Sequence, residues 1–345
     1  MDNSDIPRLV DVPSYADFLE SYLNPNIPVI IGPELVKDWP ASRLWTCEAE
    51  DGSRTINWVY LAEHYGQCEI TVADCSTSDA FGNLECETAL FGDVVSKWQE
   101  GQGQDLYVKD WHLPRIAESH KSPSTTLSPD HISPAAFYVT PDIFCDDWMN
   151  AYYTAFTPDD FRFVYCGAKG TFTPLHRDVY CSYSWSTNVC GRKRWWMYPP
   201  EHTKYLLMKE RRIAAHDVRC VDEAKFPDFK KAKPLVVIQE AGETIFVYAV
   251  SLILTRHLFI YLIRPSGWYH QVENLTACIS INHNWCNSVN LPQLYRSMCD
   301  EIEEVETALD DVRDMLSASH PHEDDWRKEF TKIVQDVVQQ DAGWK

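Results

Sequence analysis

Basic charge is scarce in this 345-residue chain: 31 Lys and Arg stand against 51 Asp and Glu, a net charge of −20. A surface of that sign repels phosphates, so direct nucleic-acid binding is not expected, and the charge fits either a basic protein partner or solubility alone. C-x-x-C spacing is missing: the twelve cysteines, scattered from Cys47 to Cys299, contain no such pair, which argues against a zinc ribbon or a thioredoxin-like site. The polar, acidic start, Met1 to Asp11, lacks a signal-peptide core, so reduced thiols in cytosol or nucleus are expected. Long apolar runs are lacking too. The nearest to one, Ala249 to Ile263, is shorter than the roughly 20 residues a spanning helix needs and is interrupted by Arg256 and His257, so no membrane association is expected. Internal repeats and low-complexity tracts are absent.

Present in their place is a globular composition, 45% hydrophobic and 13% aromatic. The first third reads as mixed helix and strand. Ser14 caps a helix to Asn24, Ile27–Ile31 is a strand, Ile56–Tyr65 a helix, Cys68–Ala73 a strand, Thr88–Gln99 a helix and Asp105–Asp110 a strand. The Ser/Pro/Thr-rich stretch His120–Pro134 reads as a linker or loop, and a helix follows around Asp146–Phe156. From Phe161, short β-type runs follow one another between Gly and Pro turns, the pattern of a sandwich or barrel. After Asn290 the apolar residues return to helical spacing, a helix packed on the barrel or on a second subunit. The expected organisation is an N-terminal α/β portion over 1–134, a β domain over 135–290 and C-terminal helices over 291–345.

The chemistry starts at His176-Arg177-Asp178. In a strand, residues i and i+2 share a face, so His176 and Asp178 project together and Arg177 points away. A His and a carboxylate so placed are two members of a facial triad lacking a second His, the ligand set of non-haem iron. Alone, H-x-D is a weak signal, and a His and Asp that merely hydrogen-bond near a turn share it.

The context is more specific. YVKDWHL, DDFRFVYCG, the H-x-D triplet, SWSTNVCGRKRWWMYPP, EAGETIFV, PSGWYHQVENL and ISINHNW occur in order between about Ser14 and Leu291. With these segments the chain resembles the JmjC-domain hydroxylases. The resemblance implies a double-stranded β-helix, the jelly-roll barrel of cupins, with added helices. It also implies Fe(II) as cofactor, with 2-oxoglutarate and O2 as cosubstrates. His176, Asp178 and His270 would hold the iron. Lys193 would pair with the distal carboxylate of 2-oxoglutarate, which needs a cation if buried. Thr173 matches a position whose hydroxyl binds that carboxylate, and Asn284 a polar position near iron and cosubstrate; Tyr165 or Tyr107 would also reach it. Alternation puts Lys193 opposite Arg192 and Arg194. Each has a plainer reading, with Lys193 a solvated strand residue, Thr173 a β-former and Asn284 a rim residue satisfying backbone groups. Cys166, Cys181, Cys190, Trp185, Trp195, Trp196 and Trp285 read as core.

One stretch departs from the family pattern. Phe246-Val247 there runs directly into Pro265-Ser266, but here residues 248–264 intervene (264 − 247 = 17) in what reads as one strand phrase. Its apolar character is unlike that of a surface loop. Its length in whole codons and its codon-compatible splice signals read as a translated intron; a lineage-specific loop is the alternative, and sequencing the transcript separates them. His257 inside it is not assigned to iron. The resemblance points to lysyl hydroxylation of a basic protein, with the translation termination factor as the implied substrate. N-methyl-lysine demethylation by the same iron chemistry, and a non-catalytic or mis-spliced binding form, are the competing expectations; a dimer is open.

Overall fold

Alternating apolar side chains sort the strands into two facing sheets. The computed structural model describes residues 6–79, 83–119, 137–208, 213–247, 267–319 and 323–341. In chain order the strands are β1 (Arg8–Leu9), β2 (Val29–Ile31), β3 (Thr46–Glu48), β4 (Arg54–Ile56), β5 (Glu69–Ser78), β6 (Leu84–Leu90), β7 (Leu106–Trp111), β8 (Arg162–Gly167), β9 (Phe172–His176), β10 (Tyr183–Cys190), β11 (Lys193–Tyr198), β12 (Leu235–Gln239), β13 (Thr244–Val247), β14 (Tyr269–Asn274) and β15 (Cys278–Trp285). The larger sheet runs β1-β2-β13-β10-β15-β8-β7-β5-β6 and the smaller β12-β11-β14-β9, with β3-β4 a separate pair. The sheets meet face to face where Trp195, Met197 and Val272 of the smaller one pack on Ile30, Ile245 and Val247 of the larger. The result is a jelly roll whose sheets do not close into a single barrel.

The other face of the larger sheet is covered by helices. These are α1 (Tyr15–Phe18), α2 (Pro40–Leu44), α3 (Trp58–Tyr65), α4 (Phe91–Gln99) and α5 (Leu113–Ser119), while α6 (Trp148–Phe156) packs through Met149 on a separate cluster with Phe161 and Cys286. Phe18, Leu61, Phe91 and Phe144 join Trp185, Ile281 and Trp285 in one buried cluster there. Ser14, Asn57 and Asp147 cap α1, α3 and α6 by accepting from the N–H of Asp17, Asn150's counterpart in α3 (Tyr60) and Asn150 itself. Each cap is worth about 1 kcal/mol. The alternation that sends Tyr183 and Trp185 toward the helices turns Ser184 and Ser186 of β10 the other way, and Asn282 and Asn284 of β15 likewise. A polar lining therefore faces the space between the sheets.

Two expected helices begin later than their sequences suggest. Thr88–Leu90 belongs to β6, and α4 starts only at Phe91; Ile56 ends β4, and α3 starts at Trp58. Pairing of β6 with β5, from Glu69↔Leu90 onward, overrides the weak strand preference of LECETAL. After α7 (Thr203–Leu206), the C-terminal helical stretch divides at Leu309 into α8 (Leu291–Ala308) and α9 (Asp310–Ser319), followed by α10 (Glu323–Asp341). Leu316, Phe330 and Val334 form their shared core. The linker read at 120–134 and the inserted stretch 248–264 lie outside the described residues. The nearest described strands on either side of that stretch, β13 and β14, belong to different sheets. Among the described residues no helix is long and apolar enough to cross a membrane.

Candidate metal centre

β9 ends at His176, and Asp178 lies just beyond it, as the residue preceding a short 3-10 turn (Val179–Cys181). Asp178 is nevertheless extended (φ −61°, ψ 147°), so the shared-face geometry expected of a continuous strand carries past its end. His270 stands on β14 directly opposite His176 in the antiparallel register. One donor atom from each of His176, Asp178 and His270 lies within 4.8 Å of the other two. His176 Nδ1 faces the Pro174 carbonyl at 2.8 Å, which places the proton on that nitrogen and leaves the Nε2 lone pair free, 3.9 Å from Asp178 Oδ1. Ser184 donates to the other carboxylate oxygen at 2.7 Å and so holds Asp178 in place. The His270 ring is stacked on Trp195 and 4.3 Å, centroid to centroid, from His176.

This donor set fits a divalent metal. His270 is buried, and its Nδ1 has no hydrogen-bond partner. Burial, with the neighbouring His176, pushes its imidazole down to about 4, so it is neutral and available as a ligand at neutral pH. Two imidazoles and one carboxylate are the donors of a facial triad suited to Fe(II). A second cluster, His112 with Asp159 and Asp160, is of a different kind. Burial acts upward on Asp160, but the His112 hydrogen bond at 2.9 Å and Arg162 at 2.7 Å hold its carboxyl below the usual range. Its charge is already compensated by protein groups.

Buried histidines make a pH prediction for the metal-free protein. Unfolded, His270 takes a proton near 6.5; folded, only near 4. Between these values the unfolded chain binds more protons, so stability falls as pH drops through that window. His283, buried and held by Tyr138 at 2.8 Å, is shifted in the same direction by burial. Urea denaturation across the window should show this loss, and a flat profile would contradict it.

A cavity of about 620 Å³ opens beside the triad, lined by His176, Asp178, Thr173, Tyr107, Tyr165 and Asn284 among others. The structure thus gathers most of the sequence-derived site residues. Thr173 Oγ1 lies 3.4 Å from the Tyr107 hydroxyl, and Tyr165 donates to Asp110 at 2.7 Å. Asn284 donates to Ser182 at 3.1 Å. Lys193 points inward, opposite its strand neighbour Arg194 as alternation expects, is 2% exposed, and is not among the residues lining the cavity. Its Nζ donates to Asn274 Oδ1 at 3.0 Å, and among the described residues no carboxylate pairs with it. Burial lowers its pKa. An ammonium so placed, with N–H groups to spare, is a natural anchor for an anion.

Several supporting groups were not apparent from the sequence. Asn274 donates in turn to Thr171 at 2.9 Å, and Gly167 admits this cluster. A Cβ on Gly167 would stand 2.5 Å from Thr171 Oγ1 and 2.6 Å from the Tyr107 ring. Gly167→Ala should therefore cost about 1–3 kcal/mol of stability by overpacking, read in thermal melts, and should disturb Tyr107 and Asn274 together. A variant as stable as the parent would show that the cluster has room to spare. Asp110, which holds Tyr165, sits at a bulge of β7 with φ +51°, an arrangement invisible to strand patterning. Ser184 alone carried a signal, since it alternates with Trp185.

Residues 15–249 match the model of the cupin-like domain family. The match stops two residues into the 248–264 stretch. Arginine-specific demethylase JMJ20 of Arabidopsis thaliana is 36% identical over 88% of this chain and 61% of its own length. The human 2-oxoglutarate and iron-dependent oxygenase JMJD4 is 32% identical over 90% of this chain and 68% of its own length. JmjC domain-containing protein 1 of Schizosaccharomyces pombe is 29% identical over 99% of this chain and 80% of its own length. The chain belongs to the JmjC group of cupin-like proteins. It spans about three-fifths of the length of JMJ20 and about two-thirds of that of human JMJD4.

Proposed function

We propose that this protein is an Fe(II)- and 2-oxoglutarate-dependent oxygenase that hydroxylates a protein side chain, with lysine as the residue modified. The observation that carries this reading is the convergence of His176, Asp178 and His270 at the edge of a cavity, with a buried ammonium, Lys193, on the strand paired to that of His270. His176, Asp178 and His270 would hold the iron. Lys193, with Thr173 and Tyr107, would take the distal carboxylate of the keto acid, and Asn284 and Tyr165 would border the two. Bound iron with keto acid and O2 supplies the oxidising chemistry. The chain contributes ligand geometry, a desolvated anion anchor and alignment of the substrate carbon.

The cavity wall supports a cationic substrate side chain. Asp159 lines it together with Asp178, while the lining Asp110 is paired with Lys109 and Asp160 with Arg162. The net charge of −20 favours a basic protein, and the translation termination factor is the substrate proposed here. N-methyl demethylation remains a second reading, favoured by the name and 36% identity of JMJ20. Both outcomes use a cationic side chain, so the wall does not choose between them. Purified protein loaded with iron and 2-oxoglutarate should form succinate, and more of it with a lysine peptide from the termination factor. A gain of one oxygen on that peptide marks hydroxylation, loss of methyl from a methylated peptide marks demethylation, and absence of succinate with every peptide ends the oxygenase reading.

A further inference from the structure

The outer faces of α6 and α8 leave unusual side chains in water. On α6, Trp148, Tyr152 and Phe156 recur every four residues, with Tyr152 59% and Phe156 75% exposed. On α8, Leu291, Tyr295, Met298 and Ile302 form a stripe of helical period, with Tyr295 67% exposed. Single exposed apolar residues are ordinary, but two such stripes on neighbouring helices mark a contact surface. Both helices rest on one apolar cluster built from Met149, Phe161, Tyr180 and Cys286, with Leu294 of α8 packed against it. Phe161 also lines the cavity. The turn that follows Asp178 touches α8, where Cys181 Sγ lies 3.5 Å from Ser297 Oγ. The surface is thus anchored to the wall of the candidate active site.

We infer that the exposed faces of α6 and α8 dock a basic amphipathic helix of the protein substrate, an inference that rests on the protein-hydroxylase reading above. Charge selects this occupant. Glu306 and Glu303 lie exposed beside the α8 stripe, with Asp300 and Arg296 exposed on the far side of the helix. Lysines beside an apolar helix face would meet Glu303 and Glu306 while its apolar residues cover the stripe. A second copy is a poorer occupant. Each copy would bring its own net charge of −20 to the contact.

The test uses the full chain and fluorescent peptide probes. One is an amphipathic helix of Leu and Lys, one has Glu in place of Lys, and one has the Leu/Lys composition in shuffled order. The double variants Tyr152→Ser with Phe156→Ser, and Tyr295→Ser with Ile302→Ser, change exposed side chains only, and circular dichroism checks their fold. The amphipathic Leu/Lys peptide should bind at least about tenfold tighter than both other probes, and each double variant should weaken it by about tenfold or more. Equal binding of the shuffled peptide, or unchanged binding by the variants, overturns the inference. So does a dimer in velocity sedimentation that the variants dissolve, which would give the surface to a second copy. Peptide binding needs no turnover. Binding without succinate formation would sink the oxygenase reading and leave the docking surface standing; succinate formation without peptide binding would do the reverse.

Discussion

Asp178→Ala should abolish both metal binding and succinate formation, with turnover lowered by well over about 100-fold. The scale follows from the shell around a metal: partners that only orient a ligand typically account for 10–100-fold, and a ligand itself must account for more. Ser184 supplies the internal comparison. Its hydroxyl bonds one oxygen of Asp178 and lies outside the triad, so Ser184→Ala should fall within that 10–100-fold band. Equilibrium dialysis with Fe(II) and a succinate assay read both variants. If Asp178→Ala keeps its iron and its turnover, the triad is not the metal centre, however close its three donors lie.

Lys193→Met should separate function from stability. The ammonium is buried, bonded to Asn274 and without a carboxylate partner among the described residues. Such a charge lowers the stability of the free protein, and a Met of similar length removes the cost. The variant should therefore melt at or above the temperature of the parent. Cosubstrate binding should suffer in the opposite sense. A carboxylate whose buried cationic partner is removed forfeits about 3–5 kcal/mol, which is on the order of 100-fold or more in affinity. A rise in KM for 2-oxoglutarate with an intact melting transition is the expected pair of results. An unchanged KM would show that the keto acid is held elsewhere, and a collapse in stability would show that Lys193 serves the fold.

How much of this could be read beforehand differs from residue to residue. His176 and Asp178 are legible because two residues of extended chain suffice to put them on one face, even though the strand itself stops at His176. Lys193 is legible as inward-facing for the same reason, with Arg192 and Arg194 on the other side. His270 is not derivable in that way. It lies far from the first pair in sequence, and only the family resemblance proposed it before the register of β14 against β9 placed it opposite His176. Thr88–Leu90 shows the converse failure. Its local preference suits a helix, and a neighbouring strand overrides it.

The sequence by itself determined which side of each strand is apolar and which is polar, because alternation is a property of adjacent residues and needs no partner. It thereby set a sandwich or barrel as the class of the fold, which the family resemblance narrowed to a jelly roll, and it placed the polar residues of each strand together on one side. Tertiary structure alone decided which of those polar residues meet. Asn274 joins Lys193 across 81 positions and Thr171 across 103, Asp110 reaches Tyr165 from a bulged neighbour strand, and Gly167 gives the cluster its space. Those meetings depend on strand order and register, which are fixed by the packing of the two sheets as a whole and which no short window of sequence contains.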